Sequence, residues 1–214
     1  MRLFAQICLL FVALSPIACS AQDGPMRYLE GEQYRKVSSV TEPKDASKIT
    51  VTEVFWYGCA HCYAFEPYMR KWAETKPGDV VFERMPNSLG RPVGLLHSRA
   101  YYTAEQLGIE KQFTPKMFAA MHDQRLPMST ESAIGTLATQ LGIDEAKFSS
   151  TFEGFAVDSQ VRRAEQRSRD WGVTGTPTVI VGGKYMTAPS MAHGSDEAID
   201  VVRFLVDKVR AERK

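Results

Sequence analysis

The 214-residue sequence predicts an α/β fold in which an all-helical subdomain is inserted into a sheet-containing domain. Three patterns support this prediction. Residues 48–90 show a strand–helix–strand pattern, residues 91–171 show helical periodicity without strands, and residues 172–214 show a β-hairpin followed by a helix. With 44% apolar residues, the chain can bury one sizeable core. Its 26 basic and 25 acidic residues nearly balance, so nucleic acid is not an expected partner.

Residues 1–21 are predicted to be an export signal. Arg2 supplies the positive start, Leu3 to Leu14 form a mainly apolar run, and Ala18 to Ala21 are small residues suited to cleavage. The apolar run is too short to span a bilayer comfortably. A partial match to a bacterial lipoprotein box ends at Cys19, so the sequence leaves open whether Cys19 carries a lipid anchor.

The first sheet-forming part is expected within residues 22–90. Residues 22–47 are polar, with a possible edge strand at residues 34–37, and a central strand is expected from Lys48 to Tyr57 because β-branched and aromatic residues dominate it. Strand alternation puts Glu53 on a face with three large apolar residues. Glu53 is therefore either a functional buried acid or a strand-edge residue that reaches water.

A helix is expected from Cys59 to about Glu74. Pro67 lies inside it and should bend it, because proline removes a backbone hydrogen bond. Its predicted buried stripe consists of Phe65, Tyr68, Met69 and Trp72. A second strand at residues 80–85 completes a strand–helix–strand unit with the expected right-handed crossover.

Residues 91–171 are expected to form an inserted helical subdomain of four or five helices. Thr130, with its neighbours Ser129 and Glu131, should open one helix, and Asp144 should cap the next. The last helix of this region ends near Trp171 and carries many arginines. Acidic residues are interleaved with these arginines, which favours a solvated face over a binding site for an acidic partner.

The second sheet-forming part is expected at residues 172–214. It should contain a strand at residues 178–181, a two-residue Gly182-Gly183 turn, a second strand, and a final helix capped at Ser195. Joined on one sheet, this part and residues 22–90 make a thioredoxin fold.

Cys59 and Cys62 lie where the central strand gives way to the first helix. The N-terminal end of a helix stabilises a thiolate, so this spacing predicts a redox-active pair with Cys59 as its reactive thiol. The other two cysteines, Cys8 and Cys19, fall inside the predicted export signal. The mature chain therefore has no further thiol with which to build a structural disulfide.

Metal and haem sites are not expected, and neither is any other cofactor. Zinc needs four ligands, and no second cysteine pair exists. Attachment of haem would need a histidine directly after Cys62, where Tyr63 stands. His97, His122 and His193 are scattered along the chain and are interpreted as surface or capped histidines.

The segment from Phe55 to Pro67 resembles the active-site segment of the periplasmic disulfide oxidoreductases of the DsbA family. The resemblance extends over nearly the whole mature chain, including the helical insertion and the Gly-x-Pro that enters the hairpin. It implies these roles: Cys59 the attacking thiol, Cys62 the resolving thiol, His61 the group that tunes the thiolate, Pro177 the cis-proline opposite the disulfide, and Glu53 the buried acid.

Two positions depart from the family pattern. Ala60 stands where the family most often has proline, and Thr176 stands where valine often precedes the cis-proline. These departures affect the expected redox potential and partner preference rather than the chemistry.

The resemblance implies a monomeric oxidase in the periplasm of a Gram-negative bacterium, or anchored there through Cys19 if Cys19 is lipidated. It would donate the Cys59–Cys62 disulfide to reduced exported proteins and be reoxidised by a quinone-linked membrane partner of the DsbB type. One alternative is a disulfide reductase or isomerase, although residues 22–47 are too few for the dimerisation domain of such isomerases. Another is a peptide-binding, chaperone-like module with incidental cysteines.

Overall fold

A computed structural model describes residues 27–43 and 45–213. The predicted export signal, with Cys8 and Cys19, lies outside the described residues. Five strands of the described chain form one mixed sheet in the order β1-β5-β4-β2-β3. The strands are β1 Arg35–Lys36, β2 Ile49–Phe55, β3 Val80–Pro86, β4 Thr178–Val181 and β5 Tyr185–Thr187. Only the β2–β3 pair is parallel within this sheet. The edge strand predicted near residues 34–37 is present as β1, which lies at one edge of the sheet.

Helix α1, Ala60–Thr75, connects β2 to β3, and α7, Ser195–Ala211, follows β5. Between β3 and β4 the described chain forms five helices. They are α2 Pro92–Gln106, α3 Glu110–His122, α4 Glu131–Thr139, α5 Glu145–Phe152 and α6 Phe155–Trp171. The predicted fold class, a thioredoxin fold with a helical insertion, is confirmed.

The sheet separates two apolar clusters. One cluster joins α1 and α7 to the sheet, with Ile49 and Val51 of β2 fully buried in it. The other is built mainly from the inserted helices, and it also contains Phe55 at the end of β2 and Cys62 in the first turn of α1. Burial of large apolar side chains in both clusters supplies the main driving force for folding. The beginning of α1 therefore rests on the core of the insertion.

Most predicted element ends agree with the structure. The Thr130 hydroxyl accepts from the Ala133 N–H at the start of α4, and Asp144 accepts from the Lys147 N–H at the start of α5. Pro67 lies inside α1 as expected.

Three local predictions were wrong. Tyr68 does not lie on the buried stripe of α1, because 37% of its surface is exposed. Its ring stacks against that of the buried Phe65. The turn after β4 has three residues, because Val181 pairs with Tyr185. Ser195 is the first residue of α7, and the N-cap position belongs to Gly194.

Candidate active site

The two cysteines occupy contrasting positions at the start of α1. Cys59 is the N-cap residue, with extended backbone angles, and its side chain is partly exposed. Cys62 lies one turn further along and is completely buried. Both are free thiols in this structure. The first turn of a helix has backbone N–H groups without intrahelical partners, so a charge on Cys59 would face hydrogen-bond donors.

The surroundings lower the pKa of Cys59 to about 5. The largest cause is the hydrogen bond from the Cys62 thiol, and partial burial opposes it. As hydrogen-bond donors to the thiolate form, the Thr176 side chain and the backbone N–H groups of Cys62 and His61 also lower the pKa. Cys59 is therefore mainly a thiolate at neutral pH, which makes it the nucleophile of the pair.

Cys62 shows the opposite behaviour. Burial raises its pKa far above the ordinary value of a thiol, and the hydrogen bond and negative charge at Cys59 raise it further. Cys62 therefore keeps its proton and donates it in a hydrogen bond to Cys59. Cys59 is therefore a good leaving group, whereas Cys62, three residues further along the chain, is a poor one.

Thr176 and Pro177 lie beside Cys59, although they are more than a hundred residues away in the sequence. The bond between them is cis, as predicted. The Cys59 thiol donates to the Thr176 carbonyl oxygen at a distance of 3.3 Å. The Thr176 hydroxyl is buried and has no hydrogen-bond partner among the described groups of this dithiol form. It is thus available to donate to a Cys59 thiolate.

A cleft of about 1090 Å³ opens next to the cysteine pair. Its lining includes His61, Thr176, Pro177, Met186 and Met191. His61 is exposed, as is its neighbour Ala60. The backbone N–H of His61 is one of the donors that lower the pKa of Cys59. The predicted tuning role of the His61 imidazole stays a prediction.

Glu53 is a buried acid, with 2% of its surface exposed, so the strand-edge alternative is excluded. The Arg84 guanidinium donates to Glu53 at 2.9 Å and to Glu66 at 3.3 Å. Burial raises the pKa of Glu53, and the charge of Arg84 opposes that rise. Sequence reasoning missed Arg84 and Glu66. Arg84 lies directly opposite Glu53 in the parallel β2–β3 register, and no local sequence pattern indicates this pairing.

The three remaining histidines differ from one another. His97 is buried rather than on the surface, accepting from the Trp56 indole N–H at 3.0 Å and lying 2.9 Å from the Met128 carbonyl through Nε2. Burial lowers the pKa of His97. His193 is exposed and lines the cleft, whereas His122 is partly buried. Within residues 27–43 and 45–213, no three metal-ligating side chains converge.

Comparisons with known proteins agree with this geometry. Residues 79–205 match the model of the DSBA-like thioredoxin domain. The chain is 34% identical to the thiol:disulfide interchange protein DsbA of Pseudomonas aeruginosa over 206 residues, which cover 96% of this chain and 95% of that protein. It is 33% identical to the DsbA of Burkholderia cepacia, over 95% of this chain and 96% of that protein.

The fold agrees as well. The crystal structure of Pseudomonas aeruginosa DsbA superimposes with a TM-score of 0.81 and 35% sequence identity, covering 86% of this chain and 96% of that chain. No helix in the described part of the chain is long and apolar enough to cross a membrane. The chain belongs to the DsbA family of thioredoxin-fold proteins and is a thiol:disulfide oxidoreductase.

Proposed function

We propose that this oxidoreductase works as an oxidase, donating the Cys59–Cys62 disulfide to reduced proteins that have been exported. A client thiolate attacks the Cys59 sulfur, the Cys59–Cys62 bond breaks, and Cys62 leaves and takes up a proton. A second client thiolate then attacks the client sulfur of the mixed disulfide and releases Cys59 as a thiolate. The client gains one disulfide, and two electrons pass to the cysteine pair.

The observation that supports the oxidase direction is the low pKa of Cys59. A protein gives its disulfide away more readily when its reduced form is the more stable form. Each group that stabilises the Cys59 thiolate therefore strengthens the protein as an oxidant. The same low pKa makes Cys59 a good leaving group in the second step.

Cys62 needs a proton when it leaves, because a buried thiolate is strongly disfavoured. We propose Glu53 as the group that relays this proton, since burial raises the pKa of its carboxyl group. Arg84 would then hold the carboxyl group in place through the 2.9 Å contact.

Clients are proposed to bind in the cleft beside the cysteine pair. Thr176 lines this cleft while its carbonyl oxygen contacts the Cys59 thiol, so a chain bound there would lie next to the reacting sulfur. An extended client segment could pair with the Thr176 backbone as in strand addition. The two methionines of the lining are adaptable apolar surface, which suits clients of varied sequence.

The proposed setting is the periplasm of a Gram-negative bacterium, with reoxidation by a quinone-linked membrane protein of the DsbB type. Export through residues 1–21, with a possible anchor at Cys19, is part of the same proposal. The proposal also includes a monomeric state and the division of the mature chain into residues 22–90, 91–171 and 172–214.

One refolding experiment separates the oxidase from a peptide-binding module. Oxidised protein is added to a reduced client that contains cysteines and, in parallel, to a cysteine-free client. The oxidase accelerates recovery of the first client only. Equal help to both clients would support the peptide-binding module and contradict the proposal.

A further inference from the structure

The C-terminal end of α3, in the helical insertion, reaches the backbone just before the cysteine pair. His122 is the last residue of α3, and its Nε2 lies 2.8 Å from the carbonyl oxygen of Tyr57. A carbonyl oxygen only accepts, so Nε2 carries the hydrogen in this contact. Tyr57 stands two residues before Cys59 and is completely buried. The insertion thus fixes the backbone on the N-terminal side of the reactive thiol.

The same end of α3 also holds the residue that follows the pair. The imidazole of His122 stacks on the ring of Tyr63, with centroids 4.9 Å apart and planes 8° apart. The Tyr63 hydroxyl donates to the Asp123 carboxylate at 2.7 Å. Tyr63 directly follows Cys62 in α1. Two adjacent residues of the insertion therefore contact the segment on both sides of the cysteine pair.

This arrangement has a consequence for the chemistry of Cys59. The backbone N–H groups of His61 and Cys62 stabilise the Cys59 thiolate only if they point at its sulfur. Hydrogen bonds weaken steeply when distance or angle departs from the optimum. Fixing the chain at Tyr57 and Tyr63 leaves the segment between them little freedom to turn these donors away.

We propose that His122 is a positioning residue for the Cys59 thiolate, acting with Asp123 by holding the backbone at Tyr57 and the ring at Tyr63. The helical insertion then helps to set the oxidising strength of a site that the sheet and α1 build. The inference rests on the proposed function in one respect: it takes Cys59 and Cys62 as the redox couple.

Two variants of His122 separate its hydrogen bond from its ring. His122→Phe keeps a flat ring over Tyr63 but removes the N–H that Tyr57 needs. His122→Gln keeps an N–H donor of similar reach but removes the ring. Tyr63→Phe removes only the hydroxyl that Asp123 accepts from. The control is Ile134→Val, a fully buried position in the core of the insertion, which weakens packing without touching the segment.

The readouts are the ultraviolet absorbance of the Cys59 thiolate against pH and the equilibrium of the cysteine pair with glutathione. His122→Phe is expected to raise the pKa of Cys59 by about half a unit or more. The equilibrium constant of the cysteine pair with glutathione should then shift by roughly threefold toward a weaker oxidant. His122→Gln should stay near the wild-type values, and Tyr63→Phe should change them less than His122→Phe. Ile134→Val should unfold more easily yet titrate as the wild type does.

A folded His122→Phe variant with wild-type pKa and glutathione equilibrium would overturn the inference. If that variant does not fold, His122→Ala, which removes both the N–H and the ring, is measured in its place, and wild-type values for it would likewise overturn the inference. A rise of the same size in the pKa of Cys59 in Ile134→Val would mean that His122 acts only through the stability of the fold, which would also overturn the inference. Failure of the wild-type pair to exchange with glutathione would instead contradict the proposed function, so the two failures are distinguishable.

Discussion

Cys59 and Cys62 lie three residues apart on one helix, yet their surroundings act in opposite directions. Cys59 stands at the N-cap position, partly exposed, where the hydrogen bond from the Cys62 thiol, the Thr176 side chain and backbone donors lower its pKa to about 5. Cys62 is buried against the core of the insertion, where loss of solvation raises its pKa far above the ordinary value. The difference shows that position in the fold, rather than residue type, divides the roles of nucleophile and resolving thiol.

The largest expected effect comes from removing one cysteine at a time. Cys62→Ser should accumulate mixed disulfides with clients through Cys59, because the resolving thiol is gone. Cys59→Ser should trap none, because the remaining thiol is buried and protonated. Non-reducing gel electrophoresis of each variant after incubation with a client measures this. Equal trapping by both variants would remove the distinction between the two cysteines.

The pH dependence of alkylation tests the same contrast in the unmodified protein. The rate at Cys59 should follow its thiolate fraction, with a half-maximum near pH 5, whereas Cys62 should stay unreactive across the neutral range. Mass mapping after brief iodoacetamide treatment assigns each site. A half-maximum near the ordinary thiol value of 9.0 would show that the helix start does not stabilise the thiolate.

The lowered pKa also affects the stability of the reduced form. Between pH 5 and pH 9 the unfolded chain binds more protons at Cys59 than the folded chain does. The contribution to the free energy of unfolding is therefore fully present above pH 9 and is lost as the pH falls through about 5. Denaturant unfolding of reduced and oxidised protein across this window measures it, with the oxidised form as the control that lacks the thiol.

Thr176→Val should have a smaller effect. Valine keeps the shape and the carbonyl contact to Cys59 but removes the buried hydroxyl, which is one of the donors that lower the pKa of Cys59. We expect a rise of about one pKa unit, equivalent to roughly 30 mV toward a weaker oxidant. The thiolate titration measures the rise. An unchanged pKa would assign the stabilisation of Cys59 to Cys62 and the backbone alone.

The smallest effect is expected for the His61 imidazole alone, and two substitutions separate this side chain from its backbone N–H. His61→Ala removes the imidazole and keeps the N–H, whereas His61→Pro removes both. His61→Pro should raise the pKa of Cys59 and shift the potential by some tens of millivolts toward the reducing end, at about 30 mV for each pKa unit. A wild-type potential in His61→Ala would mean that the backbone N–H, rather than the imidazole, contributes.

The sequence predicts the parts of the site that depend on local pattern. Cys59 and Cys62 follow from their spacing at a strand-to-helix boundary. The cis bond before Pro177 follows from the resemblance to the DsbA family, which the Gly-x-Pro segment helps to carry. These features are encoded within a few residues. The alternation of β2 likewise identified Glu53 as a polar residue on an apolar face, although it could not decide its burial.

The missed residues are those whose role depends on contacts between distant segments. Arg84 pairs with Glu53 only once β2 and β3 align in register, and nothing near Arg84 in the sequence indicates this. The sequence favours surface or capped positions for His97 and His122, yet the docking of the insertion places them against Trp56 and Tyr57. Their contacts are products of tertiary packing, which spacing within one element does not record.

The most direct test of the account is the equilibrium of the wild-type Cys59–Cys62 pair with reduced and oxidised glutathione at neutral pH. Stabilisation of the Cys59 thiolate predicts that the reduced form dominates, with a potential above about −180 mV, the range of proteins that donate disulfides. A potential below about −230 mV would place the protein among the reductants. That result would contradict both the oxidase direction and the link between the surroundings of Cys59 and the oxidising strength of the pair.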